Sequence, residues 1–137
     1  MNIDIILLLI NTALAVLIWM VQLIIYPGFT YYSEAEVKKW HPIYTRKITS
    51  LVMPLMLAQL ILYLFSILNT PSVGVITIMV LITFNWVITF LVAIPHHIAM
   101  DKKQFTWSER KKLININWYR TIAWSLILII SLIEYEA

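Results

Sequence analysis

The chain has no cysteine, two glycines and charged side chains at only 12% of its 137 positions. Without cysteine there is no disulfide, no thiolate metal site and no thiol redox chemistry. Gly28 and Gly74 stand alone, so there is no glycine loop to cradle a phosphate and no nucleotide-binding motif. A soluble domain devotes about a quarter of its residues to charge. This chain falls far short, and 61% of it is hydrophobic. Most of its surface must face lipid.

What is present is four long apolar runs. A helix crossing the hydrocarbon needs roughly 20 mainly apolar residues. Segments of about 4–26, 47–68, 73–98 and 113–133 qualify. The first lacks a basic n-region and a small-residue cleavage site, so it reads as a retained span and not as a signal peptide. The turn "NTPSV" (69–73) permits only an antiparallel hairpin, while 27–46 and 99–112 form longer polar connections. The expected fold is all-α: one membrane domain, residues 1–137, folded as an up-down four-helix bundle. Both "SEAE" (33–36) and "TWSE" (106–109) fit the capping box. The first predicts a short amphipathic surface helix over about 34–40, the second an early start to the fourth helix. Pro42 disfavours helical geometry at His41, which predicts a break there.

Charge gives an orientation. All ten lysines and arginines lie in or beside the first and third connections. The N-terminus, the "NTPSV" turn and the tail carry Asp4, Glu134 and Glu136 instead. Because basic residues flanking spans stay cytoplasmic, both termini are expected outside, in a bacterial inner membrane. The basic balance then meets anionic lipid headgroups. No basic, aromatic-bearing domain for nucleic acid is visible.

Polar side chains within spans turn toward neighbouring helices or a cavity. Here they form stripes: Asn11, Ala15, Gln22 and Tyr26 on the first span, and Thr49, Met56, Gln59, Tyr63 and Ser66 on the second. The third carries Asn85, Thr89 and His96, with Ala93 and His97 beside them; the fourth carries Asn117, Arg120, Thr121, Trp124 and Ser125. Most of the polarity gathers at the cytoplasmic third. This predicts a pocket open to the cytoplasmic leaflet, with Gln22, Tyr26, His41, Arg46, His97, Asn117 and Arg120 converging in it. Adjacent helical residues diverge by about 100°, so His96 and His97 make a poor bidentate metal motif. His97 is expected inward and His96 at the membrane surface. All seven acids fall at or outside the span boundaries, so Arg120 has no internal counter-ion in sequence. An external anion is its expected partner, to which a guanidinium fork is suited.

Three patterns occur together: "IWMVQLIIYPGF" (18–29), "WHPIYTRKITSLVMPLM" (40–56) and "IPHHIA…LININWYRTIAWS" (94–125). In these the chain resembles a family of small, uncharacterised bacterial four-helix membrane proteins. It has a looser likeness, in helix count and polar placement, to anthrone-oxygenase-like membrane proteins. The resemblance singles out Gln22, Tyr26, Pro27, His41, Arg46, Pro54, His97, Asn117, Trp118, Arg120 and Trp124. It departs at Tyr44, where a second histidine is expected, and at Gln59, where an acid is common. No activity comes with it.

The first functional reading is an accessory or lipid- or small-ligand-binding membrane module, whose partners are membrane lipids and a membrane protein or second copy of the chain. The alternative is a membrane oxidoreductase or oxygenase acting on a lipophilic substrate, with His41 and His97 holding haem or a metal. Transport, which would need broken helices, ranks last. The sequence names no cofactor, and it lacks the three or four ligands of an ordinary metal site.

Overall fold

The computed structural model describes residues 3–102 and 107–136. Among these every regular element is helical, and four helices are long and apolar enough to cross a membrane: α1 (Ile3–Gly28), α2 (Glu34–Asn69), α3 (Val73–Asp101) and α4 (Trp107–Glu136). The all-α four-helix bundle expected from hydropathy is the observed architecture. Its lipid-side residues are large and apolar, as Leu23, Ile24, Leu91 and Ile133 illustrate, each at least 60% exposed.

Two buried clusters hold the bundle. One joins Leu14, Ile18, Met56, Ile82, Trp124 and Ile127 along its length. The other packs Val21, Phe29, Val37, Tyr44, Met100 and Leu113 around the basic end. Beside the first cluster lies a polar knot. Gln59 Nε2 donates to Asn11 Oδ1 and Asn11 Nδ2 to Tyr63 Oη, both at 2.8 Å.

The surface helix is not separate. α2 runs unbroken for 36 residues through Pro42 and Pro54, about 54 Å at 1.5 Å per residue. Its first turns therefore extend beyond a hydrocarbon layer roughly 30 Å thick. The predicted break at His41 is absent for a physical reason. Pro42 leaves the Lys38 carbonyl without its helical donor, but both residues are on the exposed face, where water can satisfy the carbonyl. The Ser33 capping box forms as read: Glu36 N donates to Ser33 Oγ at 3.3 Å, and Ser33 N to Glu36 Oε2 at 2.8 Å. Thr106, the first residue of the other box, lies outside the described residues.

At the opposite end Ser72 caps α3, accepting from Val75 N at 3.0 Å, and its hydroxyl also donates to Glu134 of α4. A β-carbon at Gly74 would meet the exposed Glu134 side chain, which would have to swing aside and lose its contact with Ser72.

Both helices that run toward the basic end contain one π turn, Val21–Ile25 in α1 and Thr89–Ala93 in α3. Each closes just before a proline: Tyr26 N donates to Val21 O, and Ile94 N to Thr89 O. The wider turn moves the carbonyl four residues back away from the proline ring that would otherwise strike it. It also inserts a residue into the face count. The inward face of α3 therefore reads Asn85, Thr89, Ala93, Met100, with His97 and not His96 in step.

Candidate functional site

The π turns bring Tyr26 and His97 opposite each other. Tyr26 Oη lies 3.0 Å from His97 Nε2. The other ring nitrogen, His97 Nδ1, is 2.9 Å from His41 Nε2, and His41 Nδ1 is 2.7 Å from Asp101 Oδ1. The imidazoles of His41 and His97 stack with centroids 5.0 Å apart. Phe29 and Tyr44 meet the His41 ring from the side. His41 is 1% exposed, whereas the Asp101 side chain is 35% exposed. The line thus runs from the bundle interior to its surface.

A second network comes from α4. Asn117 Nδ2 donates to Gln22 Oε1 at 2.9 Å, and Gln22 Nε2 to the Ile114 carbonyl at 3.4 Å. Arg120 Nη1 donates to Asn117 Oδ1 at 3.2 Å, and the guanidinium sits 5.1 Å from the centroid of the Trp124 ring. Arg120 also lies against the Tyr26 hydroxyl. It is 8% exposed, and no carboxylate pairs with it among the described residues.

The two networks flank a cavity of about 110 Å³. Leu17, Val52, Met53 and Met56 are among its apolar lining residues, and Tyr26, Tyr44, Thr89, His97, Arg120 and Trp124 among its polar and aromatic ones. Three of these residues carry a buried polar atom, Arg120 Nε, Trp124 Nε1 and Thr89 Oγ1, with no hydrogen-bond partner among the described residues. Unpaired buried donors are costly, each about 1–3 kcal/mol. Among the described residues the cavity lining is rich in donors and includes no acid.

Of the residues singled out by sequence, Gln22, Tyr26, His41, His97, Asn117, Arg120 and Trp124 do gather. Arg46 does not: it is exposed. Because α2 is continuous, its buried face reads Val37, His41, Tyr44, and Arg46, two residues past Tyr44, is turned about 200° away. Trp118 also stands apart, 39% exposed and edge-on to Trp19 at 5.7 Å. One residue past Asn117, it turns about 100° outward. Thr49, expected inside, is largely exposed although it borders the cavity. His96 turns out toward Glu109, 3.5 Å away.

Two contributors, Asp101 and Arg110, are not legible as such in the sequence. In sequence Asp101 falls among the boundary acids, yet its carboxylate reaches the buried His41. Its signal was the four-residue spacing from His97, which places both on one helical face. Tyr44, where the chain departs from the resemblance, is buried and lines the cavity. Arg110 is buried and donates from Nη1 to the Phe29 carbonyl at 2.8 Å, tying the α1–α2 connection to α4.

No family model matches the chain, and no curated protein or solved structure shows significant similarity to it.

Proposed function

We propose that this protein is a bacterial inner-membrane binding module for a lipophilic molecule with an anionic or strongly accepting head, taken from the cytoplasmic leaflet. One observation carries the reading. A buried arginine with no counter-ion among the described residues lines an apolar-walled cavity, beside two lining residues whose buried polar atoms are also unpartnered among the described residues. An uncompensated buried charge is expensive, and a carboxylate or similar head relieves it. At about 110 Å³ the cavity is smaller than the ~300–1,000 Å³ of drug-sized sites. It suits a head and its first few carbons, with the remaining chain left in lipid.

The orientation rests on charge. Lys38, Lys39, Arg46, Lys47, Lys111 and Lys112 are exposed toward the end where the cavity lies, which supports a cytoplasmic opening and external termini. The reading also agrees with the resemblance to small four-helix membrane proteins and with an accessory role.

The haem or metal alternative has less support. All four ring nitrogens of His41 and His97 are already engaged with each other, Tyr26 and Asp101. No group of three or more candidate ligands occurs among the described residues.

Calorimetric titration of the protein in maltoside micelles tests the proposal. Dodecanoic acid should bind saturably at one site and dodecyltrimethylammonium should not. Arg120→Gln should weaken dodecanoate at least about tenfold, as expected for loss of a charged hydrogen bond. Equal binding of the cationic amphiphile would overturn it.

A further inference from the structure

Four side chains continue without a gap from the cavity to the bundle surface. Tyr26 and His97 line the cavity, His41 is buried behind them, and Asp101 reaches the exterior. The separations are 3.0, 2.9 and 2.7 Å. The tautomers follow from the far end. An ionised carboxylate only accepts, so His41 Nδ1 bears a proton and, in the neutral ring, Nε2 is bare. His97 Nδ1 then donates to His41 Nε2. This leaves His97 Nε2 bare to accept from the Tyr26 hydroxyl. Every proton points away from the cavity.

We propose that Tyr26, His97, His41 and Asp101 form a proton relay that takes the acidic proton of a long-chain carboxylic acid entering the cavity and delivers it to the basic surface of the bundle. This rests on the binding reading above and adds an activity to it. The acid O–H bond breaks and its proton passes to the Tyr26 oxygen. The Tyr26 proton passes to His97 Nε2, the His97 Nδ1 proton to His41 Nε2, and the His41 Nδ1 proton to Asp101, which gives it to water. No electrons are exchanged. The products are a carboxylate beside Arg120 and one proton in water, and the same hops in reverse reset both rings when the acid leaves.

The surroundings suit this direction. Arg120 and Tyr44 face Tyr26 from α4 and α2. His96, beside His97, is drawn off toward Glu109. The fixed positive charge is thus at the cavity end, where the carboxylate forms, and the carboxylate that accepts the proton is at the other.

Stopped-flow mixing of the full chain in weakly buffered micelles with dodecanoic acid, at a pH where the micellar acid is protonated, tests the relay. A pH indicator reports proton release and tryptophan fluorescence reports occupancy. In the wild type, release should keep pace with occupancy. Asp101→Asn preserves the hydrogen bond but not the basic carboxylate. It should bind with unchanged affinity and release its proton about 100-fold more slowly, while Asp101→Glu restores the rate. Dodecyl sulfate, which brings no proton, should fill the site without any release. Release from Asp101→Asn at the wild-type rate, or release on dodecyl sulfate binding, would overturn the relay and leave the binding site standing. Failure of the wild type to bind dodecanoic acid would remove both.

Discussion

His41 Nε2 and His97 Nδ1 face each other at 2.9 Å, so one hydrogen bond joins the two stacked imidazoles. Their outer nitrogens are held by Asp101 and Tyr26 at 2.7 and 3.0 Å. Three helices are therefore tied through one chain of polar contacts at the basic end.

Replacing His97 with alanine leaves His41 Nε2 and the Tyr26 hydroxyl without that partner. Each unsatisfied buried group costs about 1–3 kcal/mol. Denaturant unfolding in mixed micelles should show a loss of at least that size. A variant as stable as the wild type would mean that the chain of contacts does not hold the bundle.

The buried asparagines should behave oppositely. Asn11 is bonded to both Gln59 and Tyr63, whereas neither amide atom of Asn85 has a partner among the described residues. Interhelical hydrogen bonds in membranes average ~0.6 kcal/mol and reach about 1.7. Asn11→Leu should cost an amount in that range. Asn85→Leu should be neutral or stabilising, measured in the same unfolding assay.

A trade between stability and binding is expected at Arg120. Its charge is buried without an anion among the described residues, and an uncompensated buried charge costs stability. Arg120→Met should melt higher than the wild type in detergent and bind dodecanoate less well. Arg46→Met, on the exposed side of α2, should leave dodecanoate affinity unchanged.

The bundle was readable because each span is an apolar run of helical length. The faces were readable where the helix is regular: Asn11, Gln59 and Asn85 are each at most 1% exposed, as their stripes required. Periodicity failed where geometry changes. The π turn at Thr89–Ala93 shifts the inward face from His96 to His97, and a 3.6-residue count has no term for it. An inward Arg46 requires a break at His41, and the solvated face of Pro42 makes that break unnecessary. Asp101 was missed because α3 continues past the predicted end at 98 through Asp101, carrying a boundary acid back to a buried imidazole.

Topology has its own check. Tyr31 in the first connection is 90% exposed and Val73 beside the α2–α3 turn 82%, so cysteine is tolerated at either. In intact cells an impermeant thiol reagent should label Val73→Cys and spare Tyr31→Cys. The reverse pattern would place the cavity at the outer leaflet.

The central claim is an acid-headed amphiphile lodged between Arg120 and Trp124. Bromine quenches tryptophan at short range, and the difference between the wild type and Trp124→Phe isolates the signal of Trp124. With its head at Arg120, 2-bromododecanoic acid should quench that signal saturably, 12-bromododecanoic acid should quench it far less, and Arg120→Gln should abolish the effect. Quenching by both isomers alike, unchanged in Arg120→Gln, would contradict the account.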